Sequence, residues 1–393
     1  MANVRFVVAG LVVLAVAMGV GRFAYTPLLP LMLDSAGLSH AMAGIVASSN
    51  LAGYFVGALS ASSAAFRTKR LAGVWFAIAG VIVTTAIMAS ASLPIWLIAR
   101  FLTGVGSGFA FVLASGIVLD RAAAERRPDW VAIFYGGVGV GIVLTGVAVP
   151  LLGATGGWRA GWLGLAAISA AISALALPGL RDHLAGRKPH EDDPEGARDS
   201  RLFPWLLLAY GGQGFGYIIP ATFIVAMIAG TPSLAAFATL SWIVVGVVAI
   251  PSTILWNRLG ITLGRDRALV FALLVLGAGT IAPIVAPNAF GVVVAAATLG
   301  GTFIGITALA NALGRQLFPH HSHVAIGQLT AVFGVGQIIG PAAAGALAGA
   351  TGGYAIPLMT SAAVSCASAL AMLCGVVFAG GARSDRLRMR SKQ

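Results

Sequence analysis

Two arginines stand where charge is most expensive. Arg22 and Arg100 each fall inside a long apolar run, apart from the polar segments that hold nearly all the other basic residues. A basic side chain at membrane depth costs ~2.5 kcal/mol or more on insertion scales, so it is retained where it has partners or faces water. A guanidinium also presents a planar fork of donors matched to carboxylate or phosphate oxygens. Two readings are open: a cationic centre that takes an anionic or strongly polar group, or arginines tied to backbone carbonyls or to Asp34 at the end of the first run. Tyr25 and Thr26 follow Arg22 by three and four positions, share its helical face, and could orient it.

Other embedded polar side chains come in pairs one helical turn apart: Asn50 with Tyr54, Gln213 with Tyr217, and Thr307 with Asn311. Each either hydrogen-bonds between helices or contacts a ligand. Enzymatic chemistry finds little support. No Gly-x-x-x-x-Gly-Lys loop occurs, and the lysines Lys69, Lys188 and Lys392 all lie in polar segments, so direct nucleotide use is not expected. His320, His321 and His323 are close in sequence but lack a nearby carboxylate or thiol, and Cys366 and Cys374 are too far apart on a helix to pair. Neither paired carboxylates nor a nucleophile with its base stands at membrane depth. No catalytic residue, metal or cofactor is expected.

The elements that position these residues follow from composition. The chain has 393 residues, 59% hydrophobic and 9% charged, with a mean hydropathy of +0.94. Soluble domains carry roughly 25% charged residues, so water is not the solvent here. A span needs about 20 mostly apolar residues. Runs of that kind cover 4 to 33, 41 to 66, 71 to 91, 94 to 119, 130 to 153 and 158 to 180, then 203 to 229, 233 to 257, 268 to 286, 288 to 317, 322 to 349 and 354 to 380. The first is too long for a cleaved leader and contains Arg22, which predicts a retained span. The expectation is an all-α membrane protein of twelve transmembrane helices. It divides into an amino-terminal six-helix half (1–180), a hydrophilic linker (181–202), a carboxy-terminal six-helix half (203–382) and a basic tail (383–393).

The net charge of +12 would suggest nucleic acid in a soluble chain. Its placement says otherwise. Of the 24 basic residues, all but Arg159, Arg22 and Arg100 fall at the amino terminus, in alternate gaps, in the linker or in the tail. Under the positive-inside rule both termini and the linker are cytoplasmic, which requires an even number of spans, and the partners are lipid headgroups rather than nucleic acid. An internal repeat agrees. Ala154-Thr155-Gly156-Gly157-Trp158 returns 196 positions later as Ala350-Thr351-Gly352-Gly353-Tyr354, and Gly21-Arg22-Phe23-Ala24-Tyr25 is echoed by Gly214-Phe215-Gly216-Tyr217 with one deletion.

Several motifs carry a family resemblance. Arg100-x-x-x-Gly104-x-Gly106-x-Gly108 in the fourth run, Gly336-Gln337-x-x-Gly340-Pro341 with Gly345 in the eleventh, and Gly157-Trp158-Arg159 opening the sixth resemble signatures of the major facilitator superfamily over essentially the full chain. Trp256-Asn257-Arg258-Leu259-Gly260 resembles the family's Asp-Arg-x-Gly loop between spans eight and nine, with Asn257 for the aspartate. The matching segment Arg67-Thr68-Lys69-Arg70 has no acidic residue, which departs from the charge relay that latches the family's cytoplasmic gate. The opening Gly19-Val-Gly21-Arg22-Phe23-Ala24-Tyr25-Thr26-Pro27 resembles a bacterial branch of YbfB/YjiJ type.

The resemblance implies two pseudo-symmetric halves and a central cavity lined by spans one, four, seven and ten. It implies a secondary active transporter that moves a small solute, such as an organic anion or polar metabolite, across the bacterial inner membrane by alternating access. The expected ligand contacts are Arg22, Tyr25, Thr26, Arg100, Gln213, Tyr217, Thr307 and Asn311. Gly104, Gly108, Gly336, Gly340, Pro341, Gly345, Asn257 and Arg258 are expected to serve packing and gating, the glycines by close helix approach in the fourth and eleventh spans. A monomer with a coupling ion such as a proton is expected, although every acidic residue lies in a gap or at a span end. The rival reading is a non-transporting sensor or assembly factor on the same fold.

Overall fold

The computed structural model describes residues 2–66, 68–182 and 200–390, and among them every long element is a helix. Most of the expected linker, 183–199, lies outside the described residues, as do Arg67 and the last three residues of the tail. Eleven helices are long and apolar enough to cross a membrane. One of them, Asp129–Gly179, has 51 residues. At ~1.5 Å per residue that is about 76 Å, more than twice the ~30 Å hydrocarbon core, so it must turn back. It does so at Gly156 and Gly157, where Gly157 adopts φ +61°. The described residues therefore form twelve spans. The repeat of this corner ends the eleventh span, where Gly352 is left-handed at φ +73°. Both corners thus need a glycine, though the left-handed position falls on the second glycine in one half and on the first in the other.

Several boundaries differ from the sequence reading. The eighth span, Ala235–Leu263, runs past 257, so Asn257 and Arg258 lie on its last turns and not in a loop, and the turn is made by Gly264 at φ +90°. The ninth begins at Arg265 and contains a break after Thr280. The last helix runs from Ala355 to Arg390, carrying helix into the expected tail.

The largest difference is in the first span, Asn3–Ser35, which is not one regular helix. Ala15–Val20 widens to a π-helix, residues 21–24 form a turn, and α-helix resumes at Tyr25. Pro27 has no N–H for the Phe23 carbonyl, which takes the Thr26 N–H at 3.2 Å instead, while the Gly21 N–H reaches back to the Val16 carbonyl at 2.8 Å. Irregular backbone survives at membrane depth only where its polar groups are satisfied again by neighbours.

The twelve spans pack in two related halves. Spans two and four, and three and four, form the main contacts of the first half, matched by eight with ten and nine with ten in the second. The fifth span packs on the first, as the eleventh packs on the seventh, and the halves meet where span five lies on span eight and span eleven on span two. Small residues set these approaches. A β-carbon on Gly104 or Gly108 would strike the backbone of Asn50 and Tyr54. On the eleventh span, one on Gly340 would stand 2.6 Å from the Ile218 side chain, and one on Gly345 2.5 Å from the His40 carbonyl oxygen. Gly336 likewise abuts Gly211 and Phe215, whereas Gly141 of the fifth span faces Ala15 and Gly19. Pro341 is buried inside its helix, and the next N–H, of Ala342, is donated across the halves to Ser48 Oγ at 3.1 Å.

Candidate functional site

The turn in the first span leaves the carbonyls of Gly21 and Arg22 in an irregular stretch deep in the bundle. Arg100, entering from the fourth span, closes it: Nη1 donates to the Gly21 carbonyl at 2.9 Å and Nη2 to the Arg22 carbonyl at 3.0 Å. Asn50 Nδ2 joins from the second span, donating to the Gly21 carbonyl at 3.3 Å and the Arg100 carbonyl at 2.9 Å. The Arg100 guanidinium also lies 5.3 Å from the centre of the Tyr25 ring. Its fork is thus spent on the backbone of the break that it supports.

Arg22 is placed differently. Its side chain crosses to the other half, where Nη2 donates to the Tyr217 hydroxyl at 2.5 Å, and Gln337 Nε2 donates to the same oxygen. The guanidinium carbon lies 5.0 Å from the Tyr54 ring centre and 5.2 Å from that of Phe23. Only 6% of Arg22 is exposed, and no carboxylate pairs with it among the described residues. Asp34 stands exposed near the end of the first span, away from both arginines. A small cavity with room for about one or two waters touches both arginines, together with Asn50 and Thr222. Arg22 Nε, Arg100 Nε and Asn50 Oδ1 are buried there without partners among the described residues.

The other expected contacts divide. Tyr25 and Thr26 do not hold Arg22: the Tyr25 hydroxyl donates to the Ala43 carbonyl at 3.1 Å, and Thr26 Oγ1 to the Ala221 carbonyl at 2.7 Å. The Thr26 bond ties the first span to the seventh. Gln213 is buried one turn from Tyr217, with neither amide atom bonded among the described residues. Thr307 and Asn311 lie nearer the linker end of the bundle, half-exposed, beside the Tyr210 hydroxyl. Gln337 escaped the sequence reading as a site residue because it stood inside a glycine motif. Its signal was an amide embedded in the middle of an apolar run.

Burial is graded along the interface between the halves. Away from the linker, residues 20–29 of the first span and 216–228 of the seventh are buried without interruption, and burial of the first span continues back to residue 13. Toward the linker, Tyr54, Phe111, Tyr135, Thr307 and Asn311 are half-exposed. At that end Arg70, which opens the third span, grips Asp182 with Nε and Nη2 at 2.9 and 2.8 Å and reaches Asp120 at 2.5 Å with Nη1. The acidic partners missing between spans two and three are therefore supplied by the ends of spans four and six.

A family profile described as "Uncharacterised MFS-type transporter YbfB" matches residues 14–376. The chain belongs to that family. It is a membrane transporter of major facilitator type, not an enzyme. Among solved structures its fold is similar to a bacterial homologue of the human lysosomal transporter Spinster, captured inward-facing and occupied, with a TM-score of 0.69 over 96% of each chain at 17% identity. No curated protein sequence matches it. In this transporter the cationic pair breaks the symmetry of the fold. The first-half segment Gly21–Tyr25 carries Arg22, whereas its echo in the seventh span supplies Tyr217 and no charge.

Proposed function

We propose that this transporter is a secondary active carrier that moves a small solute bearing an anionic or strongly polar group across the bacterial inner membrane by alternating access. The observation that carries this reading is Arg22: a buried guanidinium at the boundary between the halves, held by one neutral hydroxyl and by no carboxylate among the described residues. A carboxylate or phosphate oxygen would displace the Tyr217 hydroxyl, because charge-assisted hydrogen bonds are roughly twice as strong as neutral ones. Binding would then release a bond that joins the two halves, which couples occupancy to rocking. The closed end away from the linker and the half-exposed side chains toward it support a state accessible from the linker side. With the basic residues placing that side in the cytoplasm, this is an inward-facing state, the one in which the Spinster homologue was captured. Arg100 and Asn50 keep the first span broken so that Arg22 points inward. Division of the chain at the linker, cytoplasmic termini and action as a monomer belong to the same reading.

The test compares small anionic metabolites inside and outside cells that overproduce the wild type, Arg22→Lys or Arg22→Gln at matched expression. The wild type shifts a defined set of anions, lysine restores part of the effect, and glutamine none, as a bidentate contact requires. Near-normal transport in Arg22→Gln would sink the proposal.

A further inference from the structure

The small cavity beside Arg22 and Arg100 holds a charge that the hydrogen bonds around it do not balance. Four spans line it: Arg22 and Thr26 come from the first, Ala47 and Asn50 from the second, Arg100 from the fourth and Thr222 from the seventh. Arg22 is 6% exposed, Arg100 2% and Asn50 1%, so two guanidiniums border one small space inside the bundle. No carboxylate pairs with either among the described residues. Like charges held this close repel, and a buried ion without a counter-charge is costly.

The donors left over indicate what would relieve that cost. Arg100 Nη1 and Nη2 are committed to the Gly21 and Arg22 carbonyls, and Arg22 Nη2 to Tyr217. The Nε–H of each arginine has no acceptor among the described residues. The hydroxyls nearby have no proton to spare, because Thr26 and Thr222 donate theirs to the Ala221 and Ile218 carbonyls at 2.7 Å. The space thus borders two cationic residues with free N–H donors, and it has room for about one or two waters. Charge excludes a cation, and size excludes a solute of more than a few heavy atoms. Water would bond the donors but bring no charge. A monoatomic anion does both. Asn50 Oδ1, an acceptor without a partner among the described residues, needs a proton that the anion does not carry, and one water beside the ion supplies it.

We infer that this cavity is a halide site, in which a chloride ion accepts the Nε–H of Arg22 and of Arg100 and one accompanying water joins it to Asn50 Oδ1. The inference goes beyond the proposed function and does not rest on it: the solute meets Arg22 at Nη2, in place of Tyr217, whereas chloride takes Nε. The site joins spans one, two, four and seven at the end of the bundle closed away from the linker. Bound chloride therefore favours the state in which that end is shut, and opening there releases it.

The purified transporter is unfolded at equilibrium in mixed micelles with sodium chloride, bromide or gluconate at matched ionic strength, gluconate being too large for the cavity. Once the site fills, the unfolding equilibrium constant falls about 10-fold for each tenfold rise in chloride or bromide, the slope for one ion bound only by the folded state, while gluconate leaves it flat. Arg22→Met removes one donor and weakens halide binding at least about 10-fold. Ala47→Leu fills the cavity and abolishes the slope with both arginines in place. Each slope is read against the variant's own stability in gluconate, so a less stable variant still reports. Crystals soaked in bromide carry an anomalous peak between Arg22 and Arg100. Chloride and gluconate acting alike, halide affinity unchanged in either variant, or a bromide peak elsewhere overturns the inference and leaves the proposed function standing. Near-normal transport in Arg22→Gln, with the chloride slope intact in the wild type, does the reverse.

Discussion

Replacing Arg100 by methionine should unfold this transporter far more readily than the same change at Arg22, and Arg22→Met should be the variant that loses binding. Methionine keeps a long flexible stem and removes the donors in both cases. At Arg100 two hydrogen bonds disappear, to carbonyls at 2.9 and 3.0 Å. Hydrogen bonds to charged groups contribute about 1.5–3 kcal/mol each, and a carbonyl left bare in the interior costs about 1–3 kcal/mol. The Gly21 carbonyl would keep Asn50, but the Arg22 carbonyl would lose the partner that Arg100 provides. The expected loss is therefore ~3–6 kcal/mol. Removing a charge from the membrane does not offset it, because the inserted but unpacked reference state carries that charge too. At Arg22 one such bond, to Tyr217, is lost, and Gln337 still donates to the hydroxyl so that no acceptor is left bare, so the expected cost is ~1.5–3 kcal/mol. Both arginines have a partnerless Nε, and Arg22 sits against two rings where Arg100 sits against one, which narrows the gap without closing it. Equilibrium unfolding in mixed micelles measures the two stabilities on one scale. Arg100→Met as stable as wild type, or less damaging than Arg22→Met, would refute the assignment of Arg100 to the backbone break.

Three further outcomes are expected. Gly340→Leu and Gly345→Leu each force a side chain into the Ile218 or His40 contact, at an overpacking cost of about 1–3 kcal/mol, and lower the monodisperse yield; wild-type yield and activity in both would show that these glycines are not in close helix contact. Asp182→Asn weakens the bidentate grip of Arg70, and a loss of about 1.4 kcal/mol from the linker-end latch would shift the conformational equilibrium about 10-fold; thiol labelling of Thr307→Cys reads this as altered access from the linker side, and an unchanged labelling rate would count against a latch. Reporter fusions active only outside the cytoplasm should be silent at Gln393 and active near Ser35, Pro232 and Pro287, and activity at Gln393 would contradict an even span count with cytoplasmic termini.

Everything that hydrocarbon dictates was legible in the residues alone. Run length, the scarcity of charge, the alternation of basic gaps and the repeated Thr-Gly-Gly corners specified an all-helical bundle of twelve spans, because lipid leaves a backbone few ways to satisfy its polar groups. The same scarcity of charge made Arg22 and Arg100 visible, since an embedded guanidinium has no bland explanation in composition. That the two differ emerged only once the helices were packed. Nothing in the spacing of the first run said that Gly19, Gly21 and Pro27 would break it at residues 15–24, and the break is what turns Arg100 into a clamp on carbonyls and sends Arg22 across to Tyr217. Gln337 was hidden for the same reason. It comes from span eleven, 120 residues along the chain from Tyr217, and an amide finds its role only when packing brings it to a partner that its own helix does not contain.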